Sequence, residues 1–287
     1  MLKTRAGISS FLALVLAAVV AAPGARGELR AASFSSAALG RDVSYVVDLP
    51  DSYASGDRKY PVVYALHGLF EGPGFWQRRG LAPILAELRA RGDLPEFLVV
   101  AVEGGNSFFV NSPAGAYEDL VTRDLVAHVE ASYRVTPGRG GRAALGVSMG
   151  GYAALRIAFE QPGLFAAVAT HSAMLLAKPP TAEDGAGRWQ MSAFSRVFGS
   201  PIDPALWAAS DPLALALKAD PKTAPALSFD CGETDRYGLY EGNRALHEIL
   251  ERRGVRHEFG LYPGDHGYEY VRSVLERSLR FLGARLR

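Results

Sequence analysis

The stretch from Arg142 to Ala154, Arg-Ala-Ala-Leu-Gly-Val-Ser-Met-Gly-Gly-Tyr-Ala-Ala, restricts the possible folds more than any other part of this 287-residue chain. A short apolar run leads to Ser148. From Tyr152 to Glu160, Ala, Leu and Ile then recur at helical spacing. The pattern predicts a buried strand, a sharp turn and a helix. Gly146 and Gly150 stand two residues to either side of the serine. Side chains at those positions would collide with the neighbouring strand and helix. A serine on such a turn holds its hydroxyl clear of the sheet, and the helix aims free N–H groups and its positive end at the same spot. Taken alone, Gly-x-Ser-x-Gly is a weak signal that also fits a Gly-rich turn which merely packs closely.

The flanking chain repeats one rhythm. Leu29 to Phe34 and Asp42 to Leu49 have strand character around a turn at Ala38 to Arg41, which predicts an antiparallel hairpin at a sheet edge. Pro61 to Leu66, Phe97 to Val102, Ala143 to Val147, Phe165 to Thr170, Ala226 to Cys231 and His257 to Tyr262 are apolar runs of strand length. Helical patterns fall between or after them at Trp76 to Arg91, Tyr117 to Tyr133, Leu239 to Arg253 and Tyr268 to Ala284. Apolar strands alternating with helices predict a parallel sheet covered on both faces, with eight strands once the hairpin is counted. No second core is visible, so residues 28–287 read as one domain.

One segment breaks the rhythm. Leu175 to Thr223 separates two strands and scatters Trp189, Met191, Phe194, Phe198 and Trp207 among prolines and charges. A connection this long is usually functional, and in open α/β folds it belongs over the C-terminal edge of the sheet, where ligands bind. Pro179, Pro180, Pro201, Pro204 and Pro212 stiffen it, and Lys178, Glu183, Asp184, Arg188 and Arg196 interrupt any apolar face. A fixed wall is expected rather than a mobile lid. Most of its aromatics should pack the segment onto the body. Trp189 and Trp207, with Phe70, are the candidates to contact substrate.

A nucleophilic serine needs a base. His128 and His247 fall inside helices, His257 begins a strand, and the loop after His171 enters the long segment. His266 stands in Pro263-Gly-Asp-His-Gly267, a loop just past the last strand that lets an imidazole reach the serine. For the orienting carboxylate, Asp230, Glu233 and Asp235 all lie at or beyond one strand end, and Asp235 is preferred. Asp265 is adjacent to His266, which makes a side-chain bond between them awkward. The order Ser148, Asp235, His266 is that of the α/β-hydrolase triad. The backbone N–H groups of Met149 and Leu69, the latter in Leu66-His-Gly-Leu-Phe-Glu-Gly72, would form an oxyanion hole.

Residues 1–27 have the pattern of a secretory signal peptide: Lys3 and Arg5, an apolar run from Ile8 to Ala22, and small residues at Ala25-Arg-Gly27. Cleavage near Gly27/Glu28 would leave a secreted or periplasmic protein with no stable membrane association. The single Cys231 allows no internal disulfide and reads as a core residue. A net charge near +1, without basic or acidic runs, gives no reason to expect a nucleic-acid partner. Neither His-Glu-x-x-His nor a Cys/His cluster is present, so no metal or cofactor is expected.

These residues resemble the esterase family of the α/β-hydrolase superfamily, which includes esterase D, S-formylglutathione hydrolases, secreted feruloyl and acetylxylan esterases, and mycolyltransferases. The matching stretches are Tyr64-Ala-Leu-His-Gly-Leu69, Val102-Glu-Gly-Gly-Asn106 with Ser107 and Phe108, Gly146-Val-Ser-Met-Gly-Gly151, Gly232-Glu-Thr-Asp235 and Pro263-Gly-Asp-His266. The resemblance implies an α/β-hydrolase fold, the Ser148, Asp235 and His266 triad, and the Leu69 and Met149 oxyanion hole. It also implies hydrolysis of a small-molecule or carbohydrate ester through an acyl-enzyme. An acyltransferase on the same triad, a glutathione thioester hydrolase and a non-catalytic binding protein of this fold are the alternatives. The signal peptide argues against the thioester, which is cytosolic.

Overall fold

The computed structural model describes residues 29–176 and 188–287, with residues 188–191 described by backbone alone. The proposed signal peptide and part of the long segment, Lys178 to Asp184 included, lie outside the described residues. Eight strands form one sheet: β1 (Arg30–Ser36), β2 (Arg41–Asp48), β3 (Val62–Leu66), β4 (Leu98–Val102), β5 (Arg142–Val147), β6 (Ala167–His171), β7 (Ala226–Gly232) and β8 (His257–Tyr262). Their order is β1-β2-β4-β3-β5-β6-β7-β8. The hairpin β1–β2 is antiparallel and meets β4 antiparallel, and every pairing from β4 to β8 is parallel. The mostly parallel sheet with its edge hairpin is thus as the sequence predicts.

Alternate residues of the central strands feed two separate cores. Tyr64, Leu66, Val100, Val102 and Ala144 face one; Val63, Ala65, Val99, Ala101, Ala143 and Leu145 face the other. This is the period-2 division of strands buried on both sides, and it explains why they read as unbroken apolar runs. The first core is closed by a helical stretch from Tyr117 to Ser132, by the helix Met149–Glu160 that follows Ser148, and by the helix Leu239–Arg253. The second is closed by helices Phe75–Arg78 and Leu81–Ala90 and by the last helix, Tyr268–Gly283.

Two local differences from the sequence reading have clear causes. The helix expected over Trp76 to Arg91 is two helices, because Gly80 between them is left-handed with φ 74°. The strand after the serine helix starts at Ala167 instead of Phe165; Phe165 is buried and packs tilted against Tyr64.

The described part of the long segment forms helices Arg188–Phe198, Pro204–Ser210 and Pro212–Ala216. Pro204 and Pro212 are first-turn residues, each behind an aspartate, Asp203 or Asp211, whose side chain accepts hydrogen bonds from backbone N–H groups. These prolines start helices where the sequence reading had them only stiffening the chain. Phe194, Phe198 and Trp207 pack on one another and, through Phe194 and Phe198, on Phe108. The Tyr152 hydroxyl donates to the Ser210 carbonyl at 2.7 Å. Truncating a large ring in a filled core costs about 3–5 kcal/mol, so this part of the segment is held against the body. Among the described residues no helix is long and apolar enough to cross a membrane.

Candidate active site

β5 delivers the chain to Ser148, which adopts φ 53° and ψ −115° before Met149 opens the following helix. A non-glycine residue at positive φ costs of order 1–3 kcal/mol unless its surroundings impose it. Here the main chain is fixed on both sides. The Ser148 N–H donates to the His171 carbonyl at 3.0 Å, and the Ser148 carbonyl accepts from Met174 at 3.0 Å and Tyr152 at 2.9 Å. The flanking glycines are required by close approach. A Cβ on Gly146 would lie 2.2 Å from the Gly150 carbonyl oxygen, and one on Gly150 would lie 2.2 Å from that of Leu66. Both are impossible contacts with backbone, as the sequence reading expects.

Asp235 follows β7, and its buried carboxylate faces the loop after β8. Its Oδ2 lies 2.8 Å from His266 Nδ1 and also accepts from the Cys231 thiol at 3.5 Å, while Oδ1 accepts from the Tyr237 N–H at 3.0 Å. Burial pushes this carboxyl up, but hydrogen bonds from His266, Tyr237 and Ser172 outweigh it and hold the group below the usual carboxylate range. Glu233, the alternative two residues earlier, is exposed. Asp230 is engaged elsewhere: it accepts from the Tyr270 hydroxyl at 2.6 Å and pairs with His171 Nδ1 at 3.0 Å. His171 is wholly buried in that pair, so it is a structural histidine.

The His266 loop is tied to the Asp235 loop. Thr234 donates to the Gly264 carbonyl through both its N–H, at 3.1 Å, and its hydroxyl, at 2.9 Å. Asp265 accepts from the backbone N–H of His266 at 2.6 Å and of Arg236 at 2.8 Å, and it pairs with the Arg236 guanidinium. That guanidinium holds the Asp265 carboxyl at about 2. Asp265 therefore fixes the backbone of its neighbour and leaves the ring to Asp235. The Tyr237 ring meets the imidazole edge-on, 4.8 Å between centres.

The loop after β3 is held from beneath by His67. Its Nδ1 contacts the Gly68 carbonyl at 2.7 Å, and its Nε2 accepts from the Gly104 N–H at 2.9 Å. Burial lowers the pKa of this ring, which favours the neutral form that this pairing needs. The strain in this loop sits at Phe70, φ 61°, whose N–H donates to Asn106 Oδ1 at 2.7 Å. Gly68 itself is not strained, and a Cβ there would reach only an ordinary 3.5 Å from Ser148 Cβ.

Ser148, His266, Leu69 and Phe70 line one cavity of about 360 Å³, together with Phe75, Val147, Met174, Tyr237 and Val271. Glu71, Arg79 and Ser172 supply polar wall. Trp207 is corrected: it is buried among Phe194 and Phe198, outside this lining, and belongs to the core. The Trp189 side chain lies outside the described residues. No described residue of the helices from Arg188 to Ala216 lines the cavity; they pack on the sheet face that carries the Ser148 helix. Sequence reasoning passed over Ser172 and Tyr237, since a serine after a strand and a tyrosine in a polar loop carry no motif.

A family model described as "Putative esterase" matches residues 36–282. An esterase of Mycobacterium tuberculosis is 27% identical over 259 residues, covering 81% of this chain and 54% of the relative. The chain thus spans about half the length of the curated relatives it matches. Among solved structures, a ferulic acid esterase aligns with TM-score 0.76 at 26% identity, over 91% of this chain and 98% of that one. An S-formylglutathione hydrolase from Agrobacterium tumefaciens aligns with TM-score 0.73 at 20% identity, over 93% and 99%, and is a likeness of fold. With the model match spanning nearly all the described chain, this protein belongs to the esterase family and has the α/β-hydrolase fold.

Proposed function

We propose that the protein is a secreted serine esterase that cleaves compact carboxylic esters through an acyl-enzyme. The observation that carries this reading is the 2.8 Å contact between buried Asp235 and His266 Nδ1, with His266 and Ser148 lining one cavity. With Nδ1–H donating to Asp235, the lone pair of Nε2 is left to take the Ser148 proton. Ser148 Oγ then attacks the ester carbonyl, and the oxyanion is held by the N–H groups of Leu69 and Met149. The imidazolium returns its proton to the leaving alcohol. Water, deprotonated by His266, opens the acyl-enzyme by the same route and releases the acid.

Substrate size follows from the cavity. About 360 Å³ is at the small end for ligand sites, and Phe70, Phe75 and Tyr237 make part of its lining aromatic, which suits an aryl group. The similarity to a ferulic acid esterase supports an aromatic acyl group among the substrates. The described helices of the long segment are packed on the body through Phe194, Phe198 and Trp207 and line none of the cavity, which supports a site that they do not cover as a lid. Along p-nitrophenyl esters of increasing acyl length, kcat/KM is expected to fall by at least about tenfold from butyrate to palmitate. Methyl ferulate should be turned over. Rates that climb toward palmitate and jump when droplets form would show a lid and refute the compact-ester preference.

Export is proposed on Lys3, Arg5 and the apolar run from Ile8 to Ala22. N-terminal sequencing of the protein from the extracytoplasmic fraction should begin near Glu28. A full-length chain confined to the cytosol would overturn export and favour a thioester substrate.

A further inference from the structure

The sequence places His247 and Glu251 one turn apart on the helix Leu239–Arg253, and His257 at the start of β8. The left-handed Gly254 ends that helix and turns the chain so that the three side chains converge. Ligand atoms of all three lie within 4.8 Å of one another. His247 Nδ1 and His257 Nε2 are 2.8 Å apart, and Glu251 Oε1 is 3.8 Å from the same Nε2.

From this cluster we propose a binding site for one divalent transition-metal ion of the zinc type, with His247 Nδ1, His257 Nε2 and a Glu251 carboxylate oxygen as ligands. Two imidazoles and one carboxylate suit borderline ions such as Zn²⁺ in preference to Mg²⁺ or Ca²⁺.

The surroundings hold the imidazoles in place. His257 Nδ1–H donates to the Val255 carbonyl at 2.8 Å, which directs the Nε2 lone pair at the cluster. A backbone carbonyl on the second nitrogen is the usual support of a metal-bound histidine. The His257 ring stacks on Phe229 at 5.5 Å and 17°, and the His247 ring stacks on Phe259 at 4.8 Å and 20°. The His257 side chain is buried, whereas the Glu251 side chain is 66% exposed, so the ion enters from solvent and keeps water as a further ligand.

Binding requires two small adjustments. The proton between the imidazoles leaves His247 Nδ1, the ring taking the other neutral tautomer. The two nitrogens then separate from 2.8 Å to about 3.3 Å, the spacing of tetrahedral ligands at 2.0–2.1 Å from zinc. The site is at the N-terminal end of β8, while His266 lies beyond its C-terminal end, roughly 20 Å along the strand. The ion would cross-link the edge strand to its helix without entering the ester chemistry.

The test uses the purified chain freed of metal with a chelator and titrated with ZnCl₂ by calorimetry, with thermal unfolding measured in parallel. Expected are one strong site per chain and a Tm rise of roughly 5 °C at zinc a hundredfold above Kd. His247→Gln should abolish both effects. Glu251→Gln, at an exposed helical position that leaves folding unaffected, should weaken binding at least about tenfold. It keeps the test decisive should the histidine variant fold poorly. Absence of a zinc-dependent Tm rise, or zinc binding in Glu251→Gln equal to that of the parent, would overturn the proposal.

Discussion

Replacing Ser148 with alanine is expected to lower kcat on p-nitrophenyl butyrate by at least about 10⁴-fold while the protein stays folded. The reason is local. Ser148 carries the only hydroxyl placed between the strand end and the helix N-terminus, and the turn is held by main-chain bonds to His171, Tyr152 and Met174 that the side chain does not make. Alanine keeps those bonds, so near-native circular dichroism and Tm should accompany the loss. Ser172 also lines the cavity. It lies against the Cys231 thiol, 3.6 Å away, and Ser172→Ala should leave most of the activity. Substantial turnover by Ser148→Ala, or loss only on changing Ser172, would move the nucleophile.

The second large effect is expected at Asp235. Asp235→Asn preserves shape but replaces an acceptor at Oδ2 with an amide that can donate to His266 Nδ1. The imidazole then keeps its proton on Nε2, facing the serine, and cannot act as base. A fall in kcat of about 10³–10⁴-fold is expected, the scale of a wrong-tautomer defect. KM should change little, because Asp235 is buried and is not among the cavity-lining residues. Glu233→Gln, at an exposed position in the same loop, should cost less than about threefold. The reverse pattern would identify Glu233 as the orienting group and contradict the geometry in which Asp235 meets His266.

Most of the scaffold was legible because its physics is local and periodic. Strands buried on both faces read as apolar runs, and the glycines beside Ser148 mark a steric requirement no other residue meets. The loops after β7 and β8 were legible as site loops because they leave strands at the sheet edge where Ser148 emerges. Choosing among Asp230, Glu233 and Asp235 depends on how the loop turns. The Asp235 N–H donates to the Gly232 carbonyl and the Gly238 N–H donates to Asp235, a fold-back that no pattern announces. Trp207 reads as a substrate contact because an aromatic in an irregular segment has no partner in sequence. Its neighbours Phe194 and Phe198 find it only after three short helices dock. His247, inside a helix, and His257, at the start of a strand, likewise read as unconnected, since a helix, a left-handed glycine and a strand start must combine before they touch.

The most direct measurement of the central claim is chemical capture of the nucleophile. The purified protein is treated with a fluorophosphonate, digested, and its peptides are mapped by mass spectrometry. One adduct per chain is expected, on the peptide bearing Ser148, with loss of activity in proportion to labelling. Ser148→Ala should take up none. An adduct on Ser172 or Ser107, or full labelling of Ser148 with activity retained, would contradict the account.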